Sequence, residues 1–335
     1  MQKAYNNRVT GIFSAERLHT VLLIALIVSL LVLAAQTVLL RRPRPVPPEL
    51  DVPVARPVEI AVAEEAATIP ARTRRPDCYT VLISGIDDAG GGCDTNLLAR
   101  LDAPNRRIDV VSLPRDTLLH TERYSNKLNY AYASGGTERL RGDIENLLGV
   151  PVDYAVTVDL QGFVTLIDRI GGVDFDVPVD MDYDDPAQNL HIHYKSGPQH
   201  LSGQQAMEVV RWRKNNTGGG YADADIGRIA TQQAFLKAAA QQVLRLRNAP
   251  ALAQIFFRSV KTDLTAGNLA WFAAQTLDIG AEGLSFHTLP GDGTGWYRGE
   301  SVYVLDPDAT LTLVNEALNP YDRPIDAIEL DILVP

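Results

Sequence analysis

The sequence predicts an α/β domain in three layers, α/β/α, with a central mixed sheet, preceded by one N-terminal transmembrane helix. Three observations lead there. Beyond Tyr79, short apolar runs rich in β-formers alternate with longer stretches of helical period, as strands and helices do when layered on one sheet. The first three of those runs read as an up-down-up meander, which supplies the sheet's antiparallel part. Val21 to Leu40 is an uncharged run that at 1.5 Å per residue spans roughly 30 Å, the thickness of a bilayer core.

With 335 residues and 46% hydrophobic content the chain has material for one large domain or two ordinary ones. Its formal charge of −10 excludes a general nucleic-acid binder, which needs a basic face. Any anionic ligand must be held by local arginines. The chain divides into a short arm (1–20), the anchor (21–40), a Pro/Ala-rich spacer (41–76) and the domain proper (77–335). A cleaved leader has an apolar core of about 7 to 15 residues, so the longer run predicts a permanent anchor. Lys3, Arg8 and Arg17 before it balance Arg41, Arg42 and Arg44 after it, and charge alone does not orient it.

The first strand runs from Tyr79 to Ser84 and breaks at Gly85. Asp87 and Asp88 follow at its exit, then Gly90 to Gly92, then Cys93, Asp94 and Thr95 where the second strand begins. That strand, Asn96 to Asp102, turns and returns as Ile108 to Leu113, ending in Pro114 and Arg115. In an up-down-up order Asp87, Asp94 and Arg115 converge on one sheet edge, the kind of edge where α/β sheets bind ligands. A solvated acidic turn is the competing reading. The two cysteines, Cys78 and Cys93, sit at opposite ends of the first strand, roughly 20 Å apart and beyond disulfide reach. Cys93 has no histidine nearby in sequence to activate it, so an inert thiol is expected.

Downstream, Leu140, Ile144, Leu147 and Leu148 form one stripe of a helix stopped by Gly149. Tyr154 to Val158 is a strand, Leu160 to Ile170 a helix with Phe163 and Ile167 inward, and Val173 to Val177 a further strand. An acidic loop, Asp180 to Asp185, precedes His191 and His193. On an extended segment these face one way, as metal ligands do, yet no third ligand is legible and ordinary hydrogen bonding is expected. Ser202 to Gln205 is a capping box that starts a helix. Its extended exit places Arg211 and Arg213 on one side and Trp212 on the other, an arrangement that suits neighbouring phosphates. A glycine-rich loop, Thr217 to Tyr221, follows as a rim. Asp225 to Leu246 is a long helix with Arg228 and Gln232 one turn apart on a shared face. Helices around Ala251 to Val260 and Asn268 to Leu277, strands near Leu284 to Leu289 and Ser301 to Val304, and a helix capped by Asp306 and Pro307 complete the domain.

No nucleophile elbow, zinc-protease motif or phosphate-binding loop occurs. Loop carboxylates suit Mg²⁺, and guanidinium forks suit phosphate oxygens, which together point to chemistry on a pyrophosphate. The ordered set of Gly85 to Asp87, Cys93 to Thr95, Pro114 to Thr117, Lys127 to Tyr132, Asp182 to Pro186, Gln199 to Gly203, Arg211 to Arg213 and Gly227 to Gln233 resembles the LytR-CpsA-Psr family of bacterial envelope proteins. The resemblance implies a Mg²⁺-dependent phosphotransferase outside the cytoplasmic membrane. Its implied partners are a polyprenyl pyrophosphate-linked glycopolymer, such as teichoic acid or capsular polysaccharide, the peptidoglycan that accepts it, and the membrane; none is a nucleic acid.

Carried over by position, Asp87 and Asp94 match the metal ligands, and Arg115, Arg211, Arg213, Arg228 and Gln232 match the pyrophosphate-binding set. Asp87, Arg115 and Arg213 are the expected catalytic residues, with Asp87 as the base. The prenyl tail is expected in an apolar tunnel between sheet and helices. Gly92 departs from the arginine many members carry two residues before the second aspartate, with Lys127 or Arg123 as possible substitutes. The competing readings are hydrolysis of the carrier and a non-catalytic polyprenyl-phosphate-binding regulator.

Overall fold

The computed structural model of the chain describes residues 72–86, 92–186, 190–221, 224–246 and 260–335. The expected anchor, Val21 to Leu40, and Asp87 lie outside them, as does nearly all of the helix expected around Ala251 to Val260. Among the described residues no helix is long and apolar enough to cross a membrane.

β1 (Cys78–Ile86), β2 (Cys93–Asp102) and β3 (Arg107–Leu113) form the expected meander, antiparallel from Cys78 opposite Asp102 to Asn96 opposite Leu113. The β2 to β3 turn closes because Asp102 accepts hydrogen bonds from the backbone and side-chain amides of Asn105, while Arg106 adopts φ 52°. α1 (Leu128–Leu148) is interrupted at Gly135 and Gly136 and ends at left-handed Gly149. It leads to β4 (Tyr154–Asp159), which returns parallel beside β1.

α2 (Leu160–Arg169) starts where Asp159 accepts from the Gly162 amide at 2.6 Å. β5 (Val173–Val177), β6 (Met181–Asp185), β7 (Leu190–Tyr194) and β8 (Gly197–Leu201) then pair antiparallel as β5 with β8 and β6 with β7. α3 (Gly203–Arg211) has the predicted capping box, and α4 (Ala224–Leu246) is the predicted long helix. β9 (Lys261–Thr262), α5 (Ala266–Ile279), β10 (Leu284–Thr288), the hairpin β11 (Gly291–Tyr297) with β12 (Glu300–Leu305), and α6 (Pro307–Leu313) follow.

Among the described residues the main sheet has the order β10-β3-β2-β1-β4-β9, mixed because β10 and β4 join the meander in parallel. Strand alternation sorts its side chains. Leu82, Leu98 and Val111 face the α1 stripe of Leu140, Ile144, Leu147 and Leu148. Tyr79, Leu97, Val110 and Val156 face the other way, against Trp271 and Phe272 of α5. Tyr79 meets the Trp271 ring edge to face with centroids 5.4 Å apart. A fully buried residue such as Ile144 stabilises the fold by roughly 2 to 5 kcal/mol over alanine. A third cluster joins α2, α3 and α4 with β5 to β8 around Phe175, Trp212 and Phe235.

The segment read as an acidic loop is in fact strand β6. Met181 is buried, Asp182 and Asp184 are exposed, and the alternation hidden among the acids is that of a half-buried strand. Residues at the end of the spacer are tied to the domain. Arg74 pairs with Asp153, Arg72 with Glu329, and Arg75 with Asp102 at 2.7 Å.

Candidate active site

Between the α5-facing side of the sheet and the cluster of α2, α3 and α4 lies a cavity of about 640 Å³. Its inner wall is aliphatic and aromatic. Ile83 of β1, Leu97 of β2 and Val156 of β4 supply the floor, while Phe163, Ile167 and Phe235 come from the helices above. These positions follow from period: odd-numbered β1 residues face this side, and Phe163 and Ile167 lie one turn apart on α2. The wall that sequence reasoning left unidentified is therefore made mostly of residues legible as strand and helix faces.

The rim is charged. Asp94 opens β2 and Arg115 follows β3, so the antiparallel pairing brings them to one edge, where the Arg115 guanidinium is ion-paired with the Asp94 carboxylate. The predicted convergence of these two residues holds, whereas Asp87 lies outside the described residues. Arg115 Nε is 3.6 Å from Asp116 Oδ1, which Lys127 Nζ approaches to 3.4 Å. α3 ends at Arg211, and Trp212, 2% exposed, turns into the core against Tyr221 at 5.0 Å. Its indole N–H donates to Asn215 Oδ1 at 3.2 Å. With Trp212 pinned, Arg211 and Arg213 both line the cavity. Arg228, buried, and Gln232, whose side-chain amide donates to the Val210 carbonyl at 3.1 Å, line it from α4.

Every predicted phosphate-binding residue thus borders one cavity. Two further rim residues were missed. Asp159 ends β4, and acids at strand exits were the signal already used for Asp87. Lys214 continues the Arg211 to Arg213 run and lines the same cavity. Arg123 and Lys127, weighed as substitutes for the arginine absent at position 92, do not line it. Arg123 instead pairs with Asp143 at 2.6 Å. Cys93 beside the rim is fully buried, and burial pushes its thiol up to about 12, so it is no nucleophile. Both cysteines are free thiols, as their positions at opposite ends of β1 require.

A cation-rimmed mouth over an apolar chamber at a sheet edge defines a protein suited to an amphipathic anion, with a phosphate-like head and a hydrocarbon tail. The family model of the LytR_cpsA_psr family matches residues 56–318, and the chain belongs to that family. It is 32% identical over 248 residues to the Bacillus subtilis (strain 168) polyisoprenyl-teichoic acid–peptidoglycan teichoic acid transferase TagV, a match covering 69% of this chain and 61% of TagV. It thus spans less than two thirds of that relative's length. It is 28% identical over 253 residues to the Bacillus anthracis (strain CDC 684 / NRRL 3495) transferase TagU, covering 73% of this chain and 80% of TagU. The crystal structure of B. subtilis TagV matches with a TM-score of 0.62 at 25% identity, covering 71% of this chain and 95% of that one.

Proposed function

We propose that the chain is a phosphotransferase that moves an anionic glycopolymer from a polyprenyl pyrophosphate carrier to a peptidoglycan sugar hydroxyl. One observation carries the reading: a single cavity joins an apolar chamber to a rim bearing Arg115, Arg211, Arg213, Arg228 and Gln232. The prenyl chain fills the chamber, and the pyrophosphate rests at the rim. The relatives' names, which specify transfer of teichoic acid to peptidoglycan, support the same substrate class. Val21 to Leu40 would anchor the chain in the cytoplasmic membrane with the domain outside, where both carrier head and peptidoglycan are reached.

In the reaction the acceptor oxygen attacks the phosphorus bound to the glycopolymer. A new P–O bond forms, the bond to the bridging oxygen breaks, and polyprenyl phosphate leaves with that oxygen and the electron pair. Arg115 and Arg213 hold the charge gathering on the leaving phosphate, and such preorganised donors are worth about 100- to 1000-fold in rate. Arg228 and Gln232 orient the pyrophosphate from α4. The hydroxyl proton goes to a carboxylate base, assigned to Asp87. The described rim offers carboxylate oxygens and no available imidazole or thiolate, a donor set that fits Mg²⁺, which Asp94 together with Asp87 would hold. When bound, Mg²⁺ would neutralise negative charge on the pyrophosphate.

The test is to incubate the full-length protein in detergent with a lipid-linked pyrophosphate saccharide and peptidoglycan oligomers, with Mg²⁺ and then with chelator. Products are read by mass spectrometry. A Mg²⁺-dependent phosphodiester, lost in Asp94→Ala, is the expected result. Release of saccharide phosphate alone would replace transfer by hydrolysis, and tight retention of intact carrier without product would replace it by a binding role.

A further inference from the structure

The outer face of the β6–β7 hairpin carries four side chains that the cavity does not use. Antiparallel register sets Asp182 opposite His193 and Asp184 opposite His191. The two-residue period puts all four on the exposed face, while Met181, Leu190 and Ile192 are buried. Two independent hydrogen-bonded pairs would keep each histidine on its own partner. The geometry differs: Asp184 Oδ1 lies 2.5 Å from His191 Nδ1 and also 3.3 Å from His193 Nε2. The second nitrogen of His193, Nδ1, is 2.8 Å from Asp182 Oδ1. Three donor atoms, one each from Asp184, His191 and His193, all fall within 4.8 Å of one another.

This is the layout of a metal site with its supporting carboxylate. A metal-ligating imidazole usually donates its other N–H to a carboxylate, which fixes the ring and the tautomer, and Asp182 stands where that partner belongs. Ligands about 2.0 to 2.2 Å from a tetrahedral ion lie roughly 3.3 to 3.6 Å apart. The spacing of His193 Nε2 and Asp184 already matches. His191 must open by roughly 1 Å, a small rotation for an exposed ring. The strand beneath is held in place, since the Asp182 and Asp184 amides donate to Asn215 Oδ1 at 2.7 Å and Asn216 Oδ1 at 2.8 Å.

We propose that His191 Nδ1, His193 Nε2 and a carboxylate oxygen of Asp184 bind a divalent transition ion of the zinc class, with Asp182 orienting His193 and water completing the tetrahedron. Two imidazoles select such an ion over Mg²⁺, which separates this site from the cavity rim. Tyr183 and Leu190 of the same hairpin line the cavity, so a bound ion would stiffen that wall.

The test uses the full-length protein in detergent near neutral pH, with Mg²⁺ present throughout and Zn²⁺ alone as the titrant in calorimetry. One Zn²⁺ per chain is expected with Kd below about 10 μM, within the ordinary range of specific binding. His191→Ala and His193→Ala should each weaken binding at least about tenfold, and Asp182→Asn about tenfold, with unchanged far-UV circular dichroism. Co²⁺ in place of Zn²⁺ should give the intense visible bands of a tetrahedral ion, lost in His193→Ala. A weaker Kd, equal affinity in the histidine variants, or only the faint bands of octahedral Co²⁺ would overturn the assignment.

Discussion

Two hollows on this domain are rich in arginine, and they are built for opposite ends. The cavity rim sets Arg115, Arg211, Arg213, Lys214 and Arg228 over an apolar chamber, with Asp94 and Asp159 as the described carboxylates. The second hollow, about 380 Å³, gathers Arg75, Arg100, Arg107 and Arg323 among asparagines and carboxylates. There Arg100 and Arg107 each reach the buried Asp109 at 2.8 Å, and Arg75 reaches Asp102 at 2.7 Å. Arg100 also donates to the carbonyls of Asn319 and Glu316. In this cleft the arginines are consumed by the fold, locking β2 and β3 to the C-terminal segment. Arginine count therefore does not mark a ligand site; an apolar chamber beneath the guanidinium groups does.

The contrast breaks most readily at Asp109. Asp109→Ala leaves buried Arg100 without its carboxylate and should cost about 3 to 5 kcal/mol in urea unfolding, with transfer per folded molecule unchanged. Loss of transfer with intact stability would reverse the roles of the two hollows. Arg213→Ala is the mirror experiment. Its exposed side chain contributes little to the fold, so the midpoint of thermal unfolding should hold while turnover falls about 100- to 1000-fold. The smallest effect sharpens the comparison. A Cβ at Gly92 would meet nothing within 4 Å, so Gly92→Arg is accommodated and adds a cation at the rim. Carrier affinity should rise roughly twofold to fivefold, the worth of one partly solvated ion pair, measured by fluorescence titration with a labelled prenyl pyrophosphate. An unchanged affinity would mean that Lys214 already supplies the charge.

Much of the rim could be read from sequence because it depends on neighbours in the chain. The meander brings Asp94 to Arg115 through turns and register, and Trp212 declares the direction of Arg211 and Arg213 by being too large and apolar to stay outside. The chamber was harder, since Ile83, Leu97, Phe163 and Phe235 come from elements far apart in sequence and meet only once the layers pack. β10 was read as a strand, but its place beside β3 depends on a parallel pairing of Leu284 with Ile108 that no local pattern encodes. β6 was misread because four aspartates among the six residues Asp180 to Asp185 looked like a loop; the period, not the charge, was informative, and the error concealed Asp184 as the carboxylate beside His191 and His193. β8, Gly197–Leu201, lacks the β-formers that would announce it, and β11 hides Thr294, Trp296 and Tyr297 behind glycines at 291, 293 and 295.

The Arg72 ion pair with Glu329, the backbone hydrogen bonds and the bridge that fasten residues 72–75 to the far end of the chain have a mechanical meaning. Arg74 pairs in strand fashion with Tyr321, and Thr73 and Asp322 exchange hydrogen bonds through backbone and side chain. A pull arriving along the spacer would meet these contacts before it reached the first hydrogen bond of β1. Tension from a tether would thus fall on residues 72–75 and 319–329 first, and on the sheet only after they had parted.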